Sequence, residues 1–335
     1  MTDFRTPTDR IITVFGGSGF IGRHLVRALA RDGWRIRVAT RRPDLAYHLQ
    51  PLGRVGQISP VQANIRYPES IAAALRGAEA AVNLVGILAP TGKQTFDAVQ
   101  ADGAADIAKA VAAAGISNFV HFSAIGADAQ SASGYARSKA AGEAAALATL
   151  PSAVILRPSV VFGPEDQFFN RFASMARMMP ALPLIGGGVT KLQPVYVGDV
   201  AEAAALALKG GAKAGATYEL GGPSVRTMRE ILEFTLTTIQ RNRILANVPF
   251  GLANLIGLGS EIAEKVLLGI LPAELSLTRD QVELLRHDNV VSDKAAAEGR
   301  TLAGLGLSAE SIEAIVPAYL YRYRKCGQFT DIRLT

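Results

Sequence analysis

The sequence predicts an α/β protein built on a doubly wound parallel sheet, with a smaller α/β lobe in its C-terminal half. Three observations predict it. Ile11–Phe15 is a short β-branched and apolar run, followed at once by a glycine cluster and then by residues 23–31, where Leu25, Val26, Leu29 and Ala30 recur at helical spacing. Further buried-strand patterns follow at Arg35–Thr40 and at residues 61–65, 80–88 and 118–123, with helical patterns between them. A chain of 335 residues that is 49% hydrophobic can bury one large core, or a domain and a half.

Strand, glycine turn and helix, in that order, is the context in which a glycine motif carries chemical information. Residues 11–22, IITVFGGSGFIG, fit two registers: Gly17-x-Gly19-x-x-Gly22 and Gly16-x-x-Gly19-x-x-Gly22. Glycines permit a tight turn and let backbone N–H groups approach a pyrophosphate, and the helix N-terminus adds partial positive charge. The backbone of Gly16, Ser18, Gly19, Phe20, Ile21 and Gly22 is therefore the expected cradle of a dinucleotide in a Rossmann-type domain. A glycine-rich turn without a ligand is the plain alternative. The second register, on a strand ending at Phe15, resembles the short-chain dehydrogenase/reductase superfamily.

The end of the second strand bears on which dinucleotide. An NAD site usually places an Asp or Glu there, against the ribose hydroxyls. Arg35–Thr40 instead runs into Arg41-Arg42-Pro43. Two guanidinium groups suit a 2′-phosphate, which they can hold by charge-assisted hydrogen bonds, and NADP(H) is the expected cofactor. A solvated arginine pair would look the same in sequence.

Composition narrows the class. Cys326 is the single cysteine, which excludes an internal disulfide framework and a cysteine-based zinc site and fits a reducing compartment. The net charge of +6 resides in residues 1–60, which hold ten Arg against four Asp, while the rest balances at 25 basic and 25 acidic residues. A polyphosphate cofactor accounts for that excess without nucleic acid, and no aromatic-basic interleaving accompanies it. The N-terminus MTDFRTPTDR has no signal-like apolar region, and no run of 18 uncharged apolar residues suggests a transmembrane helix. The expected location is cytoplasmic, or peripheral on the cytoplasmic face of an inner membrane (the matrix side in a mitochondrion).

Residues 61–65 read as the third strand, ending near the adenine. Asn64 and Ile65 stand where many members of the superfamily carry an acid and an apolar residue. Asn64 could hydrogen-bond an adenine amine or cap the helix that follows at 68–76. Residues 80–88 form the fourth strand. Residues 96–115 form a long amphipathic helix, and 118–123 the fifth strand, in which His121 reads as a core or face-packing histidine. Tyr135-Ala-Arg-Ser-Lys139 puts Tyr and Lys at i and i+4 on one helix face. Such a Lys can hold a nicotinamide ribose and favour ionisation of the Tyr hydroxyl. The Tyr can then exchange a proton with a carbonyl or alcohol beside a hydride donor.

IITVFGGSGFIG, YARSKAAGE, ILRPSVVFGPED and PVYVGDVAEA together resemble the atypical or extended, epimerase-like short-chain dehydrogenase/reductase proteins. The resemblance implies that Asn83, Val85 and Gly86 pass close to the cofactor ribose. It further implies that Arg157, Pro158 and Val161 line the nicotinamide side, and that residues 193–199 belong to a substrate-side lobe. LTRDQVELLRHDNVVS (277–292) and VPAYLYRYRKCGQF (316–329), with MPALPLIGGGVTKLQPVYVGDVA before them, are similar to the nucleotide-binding accessory subunits of respiratory complex I and their bacterial relatives. This resemblance covers essentially the whole chain. It implies a tightly held structural NADPH, a membrane-associated respiratory partner and little or no turnover.

There is a departure from the working enzymes, which polarise a substrate carbonyl with a Ser or Thr hydroxyl after the fifth strand. Epimerase-like members usually have consecutive hydroxyls there, whereas this chain has Phe122-Ser123-Ala124-Ile125. Ser123 fills the role, or Ser131 or Ser133 does, or the triad with Tyr135 and Lys139 is incomplete. A complete triad would make the chain an NADPH-dependent oxidoreductase or epimerase acting on a small or isoprenoid-like carbonyl.

The division expected from the pattern is a nucleotide-binding domain over 1–165 and a C-terminal lobe over 166–335, interleaved with the sheet. Phe168, Phe169, Phe172, Met175, Met178 and Met179 read as core or lid. Residues 199–208 and 227–239 are helical patterns, and Thr217–Leu220 is a strand before a Gly-Gly-Pro turn. Residues 244–271 are the most apolar stretch, but glycines and Glu261, Glu264 and Lys265 interrupt it. It is either a buried helical pair or an exposed patch that docks on a membrane or a partner subunit. Arg322, Arg324 and Lys325 beside Tyr319, Tyr321 and Tyr323 form a basic-aromatic tail, suited to anionic lipid, an acidic partner or a solvated face.

Overall fold

β1 (Ile11–Phe15), β2 (Arg35–Thr40), β3 (Ile58–Gln62), β4 (Ala80–Asn83), β5 (Asn118–Phe122) and β6 (Val154–Pro158) form a parallel sheet with the later strand Thr217–Leu220. The computed structural model describes residues 9–266 and 277–326. From one edge the strand order is Thr217–Leu220, β6, β5, β4, β1, β2, β3. That is the doubly wound order, with the switch point between β1 and β4. β1 lies in the middle because Ile12, Val14 and Phe15 are apolar on both faces and can be covered on both.

The chain divides into two compact units, each drawn from separate segments: 1–158, 197–220 and 291–308 in the first, 159–196, 221–290 and 309–335 in the second. In the first unit α1 (Phe20–Arg31) buries Leu25, Val26, Leu29 and Ala30, as its spacing predicts. A cluster from Phe15, Ile71, Leu75, Ile107, Val111, Phe119 and Ile155 packs α2 (Pro68–Leu75), α3 (Asp102–Ala113) and α4 (Gly134–Thr149) against the sheet.

Three elements of this unit differ from the sequence pattern, each for a local reason. β3 begins before Pro60, because an edge strand tolerates a missing N–H. The chain then leaves the sheet at Asn64, whose Oδ1 accepts the Arg66 N–H at 3.2 Å. β4 stops at Asn83 instead of running to residue 88, since Asn83 Oδ1 takes the Val85 N–H at 3.0 Å and turns the chain. The helix over 96–115 opens with a π-helical turn, Asp97–Ala101, before α3. Such turns are frequent at functional sites.

The second unit has its own core, in which Phe162, Phe169, Met175, Leu182, Ile231, Leu232, Val316 and Leu320 are buried. The turn before its helix α5 (Phe169–Met178) is held by Asp166, whose carboxylate accepts the Phe168 and Asn170 N–H groups and the Tyr319 hydroxyl, the last at 2.6 Å. Thr227 and Glu230 form a reciprocal capping box on the helix Met228–Thr238. The aromatic-Met stripe is mostly core, but Met178 is exposed.

Two expectations for this unit are corrected. Residues 244–271 are not a buried helical pair: Ile244–Val248 is a strand parallel to Ala181–Ile185, and the helix Phe250–Val266 leaves Leu252, Leu255 and Ile256 between 46% and 66% exposed. Strand pairing overrode the helical reading because the β-capable run is only five residues long. Residues 267–271 lie outside the described residues. The basic-aromatic tail is not simply a solvated face either, because Tyr319 is buried on Asp166 and Arg322 donates to Asn170 Oδ1 at 2.6 Å. Residues 327–329 of that motif lie outside the described part.

Candidate functional site

The glycine turn after β1 adopts a geometry that other residues would disturb. Gly16 has φ +78°, and a β-carbon on it would lie 3.1–3.3 Å from the Leu84–Val85 peptide. Gly19 donates its N–H to Gly16 O at 3.0 Å and stands at the N-cap of α1 with no side-chain cap and no acid in the first turn. A β-carbon on Gly22 would fall 2.6 Å from Gly16 O and from Gly17 backbone atoms, so the helix starts directly against the turn. Phe20 and Ile21 occupy that first helical turn, and its opening N–H groups have no intrahelical acceptor, which suits an anion.

Ser18 Oγ reaches Thr40 Oγ1 at 3.4 Å, bringing the turn to the end of β2. Arg41 and Arg42 follow, both exposed. Arg42 pairs with Asp44 at 2.8 Å, whereas Arg41 makes no ion pair or side-chain hydrogen bond among the described residues. Asn64 holds its own loop through Arg66, and Ile65 is buried against Gly103, at whose α-carbon a β-carbon would meet it at 2.6 Å. Val85 is half-buried and Gly86 exposed in the turn after β4.

That turn is where the glycine loop and α4 converge. A β-carbon on Gly86 would lie 3.2 Å from Lys139 Nζ, which itself donates to Phe122 O at 3.2 Å. Lys139 Nζ lies 6.0 Å from the Tyr135 ring centre, and that ring packs edge-on against Phe96 at 5.9 Å. Burial pushes the Lys139 ammonium down to about 8, against the opposing pull of Glu143. Ser123 Oγ is buried with no hydrogen-bond partner, next in chain to the carbonyl that Lys139 holds. Ser133 caps α4 by accepting the Ala136 N–H, and Ser131 Oγ accepts the Ser133 N–H. These two hydroxyls serve the helix start, whereas Ser123 Oγ makes no such bond.

The Lys139 shift has a testable sign. Its folded value of about 8 lies below the ordinary 10.5, so between those pH values the unfolded chain binds more protons and this group's contribution to stability rises with pH. Thermal unfolding of the wild type and Lys139→Met is therefore expected to show the wild type gaining on the variant from about pH 8 upward, within the window set by that depressed value. Parallel curves through that window would show that the ammonium is solvated.

Three contributors escape a motif search. Gln100, in the π-helical turn, donates to Ile87 O at 2.6 Å and accepts from Ser138 Oγ at 2.7 Å, tying the turn after β4 to α4. Gly142 makes the helix approach feasible, since a β-carbon there would meet Gln100 O at 2.3 Å. Glu143 binds Arg157 through two bonds of 2.8 and 2.6 Å, and Arg157 also lies 3.8 Å from Glu219. Glu143 could have been found in the sequence: it continues the i, i+4 spacing from Tyr135 and Lys139. These carboxylates engage the guanidinium of Arg157, the residue expected on the nicotinamide side. Pro158 closes β6 and accepts the Ile125 N–H, while Val161 opens a short strand of the second unit beside Val195. Among the described residues no cluster of ligating side chains could hold a metal ion.

The crowded glycines of the turn, the uncapped helix start and the buried Lys139 ammonium fit a nicotinamide dinucleotide. Residues 12–221 match the model of the NAD dependent epimerase/dehydratase family. The chain is 36% identical over 322 residues to NADH dehydrogenase (ubiquinone) 1 alpha subcomplex subunit 9, mitochondrial, of Arabidopsis thaliana, covering 95% of this chain and 79% of that protein. It is also 36% identical over 196 residues to ceramide reductase of Caulobacter vibrioides, covering 58% and 60%. The crystal structure of gox2253 matches with a TM-score of 0.70 over 94% of this chain and 99% of that one, at 22% identity, a likeness of fold alone. The chain belongs to the NAD dependent epimerase/dehydratase family, within the short-chain dehydrogenase/reductase superfamily, and the relatives it matches over most of its length include mitochondrial NADH dehydrogenase subunits.

Proposed function

We propose that this chain is an NADP(H)-holding accessory subunit of a respiratory NADH:quinone oxidoreductase, its dinucleotide retained for structure and turned over little or not at all. The observation that carries this reading is the near end-to-end similarity to subunit 9, which extends through the C-terminal stretches that the family model, ending at residue 221, does not reach. Gly16, Ser18, Gly19, Phe20, Ile21 and Gly22 hold the pyrophosphate, Val85 and Gly86 pass beside the ribose, and Lys139 anchors it. Asn64, Ile65 and Pro158 complete the walls within the first unit. Arg41 supplies the charge for the 2′-phosphate, with Arg42 joining it on release from Asp44.

Among the described residues no helix is long and apolar enough to cross a membrane. The exposed Leu252, Leu255 and Ile256 give a peripheral face that suits a membrane-associated complex.

Denaturing the purified protein and identifying the nucleotide released tests the reading. Near-stoichiometric NADP(H) is expected. An empty or freely exchanging site would overturn the structural role and turn attention to a reductase with Tyr135, Lys139 and Ser123 as its catalytic group, for which Tyr135→Phe is the control. Cofactor choice has a separate check. Arg41→Ala is expected to weaken NADPH binding about tenfold while leaving NADH nearly unchanged, as fits loss of one charge-assisted phosphate contact. Equal losses on both would show that Arg41 does not read the 2′-phosphate.

A further inference from the structure

The turn after β4 is held by a side chain that no motif includes. In the parallel register of β4 and β5, Asn83 stands opposite His121, and both are buried to within 2% exposure. Asn83 Nδ2 lies 3.1 Å from His121 Nδ1, and Asn83 Oδ1 accepts the Val85 N–H at 3.0 Å.

These two contacts fix each other's chemistry. The Val85 N–H can only donate, so Asn83 must present its oxygen to it and its NH₂ to the histidine. Nδ1 of His121 must then be an acceptor, which leaves the proton on Nε2. The opposite tautomer would set an N–H against an N–H. Burial first, then the charge of Lys139, pushes the ring down to about 3, so it stays neutral. Nε2 is buried without a hydrogen-bond partner. A phenylalanine would fill the same space and bury no polar nitrogen, so it is the Nδ1 contact that gives a histidine its use here.

The segment so held matters because of its two neighbours. The Leu84–Val85 peptide is what a β-carbon on Gly16 would strike, and Gly86 lies against Lys139 Nζ. We propose that His121 is a positioning residue of the dinucleotide site: as the neutral Nε2–H tautomer it orients the Asn83 amide, which sets the backbone of residues 84–86 between the glycine turn and Lys139. This rests on the dinucleotide reading above. His121 is itself buried and acts through Asn83.

The experiment uses the full chain, stripped of nucleotide, with NADPH as the probe in calorimetric titration and with the melting temperature of the nucleotide-free protein measured alongside. His121→Phe is expected to bind NADPH about tenfold more weakly, as loss of the acceptor leaves Asn83 free to turn. His121→Asn places an amide oxygen where Nδ1 stood and is expected to restore most of the affinity. Asn118→Ala, which removes a hydrogen bond to Leu208 O from the other end of β5, controls for stability: it is expected to lower the melting temperature and spare the affinity. Nitrogen NMR of the wild-type ring is expected to show Nε2 protonated and Nδ1 bare.

Binding by His121→Phe within twofold of wild type overturns the role. So does an Asn variant as weak as the Phe variant, an equal loss in Asn118→Ala, or a proton on Nδ1. A wild-type chain that takes up no NADPH or NADH is a different failure, which removes the dinucleotide reading and this role with it.

Discussion

Gly22→Ala is expected to abolish retention of the dinucleotide, while Gly19→Ala weakens it only partly. The added methyl at residue 22 would lie 2.6 Å from Gly16 O and from the Gly17 backbone, whereas at residue 19 the nearest atom would be Gly16 O at 3.3 Å. The atoms at residue 22 are main chain of the turn itself and cannot swing aside as a side chain can. The start of α1 must move off the turn, taking with it the N–H groups proposed to face the pyrophosphate. Overpacking of this kind costs about 1–3 kcal/mol, so the melting temperature also falls by a few degrees. Nucleotide content after purification and thermal unfolding check both effects. If the two variants kept equal amounts of nucleotide, the turn would not be the pyrophosphate cradle.

Glu143→Ala is expected to be the most destabilising single change near the site, by about 3 kcal/mol in denaturant unfolding, the lower end of the range for breaking a buried pair. Glu143 is almost wholly buried, its side chain 8% exposed, and it holds Arg157 in two bonds of 2.8 and 2.6 Å. Removal strands the guanidinium with Glu219 alone, at 3.8 Å, and Arg157 at 25% exposure recovers only part of its hydration. The low end of the range applies for those two reasons. The double variant Glu143→Met/Arg157→Met leaves no stranded charge and is expected to recover most of the loss. A loss under about 1 kcal/mol for Glu143→Ala would mean that water already serves the pair. The same carboxylate favours the charged form of Lys139 against burial, so its removal lowers the ammonium's value further.

The first half of the chain was legible because its signals are local. A buried strand, a glycine-rich turn and a helix with period 3.6 each occupy a dozen residues or fewer, and each is written in residue type. Tyr135, Lys139 and Glu143 share a helix face by spacing alone. The limits of β3 and β4 were not legible. One depended on Pro60 meeting an edge strand rather than a central one, and the other on the Asn83 amide turning back to Val85 N–H. The stretch 244–271 misled because a run of apolar residues does not say which partner covers it. Five of its residues pair with Ala181–Ile185, some sixty positions earlier in the chain.

By itself the sequence determined that the protein is α/β with a parallel sheet, that a glycine turn and a helix follow β1, that two arginines and no acid stand at the end of β2, and that Ser123 has no neighbouring hydroxyl. These follow from short-range geometry, which residue type and spacing fix. Only the tertiary structure decided that residues 197–220 and 291–308 return to the first unit, that Arg157 answers to Glu143 and Glu219, that Asp44 engages Arg42, and that His121 faces Asn83. Each of these joins residues through strand register or a side chain's reach rather than through a period. A contact across 38 positions of chain, such as that between Asn83 and His121, leaves no mark on the sequence until the sheet sets the two strands side by side.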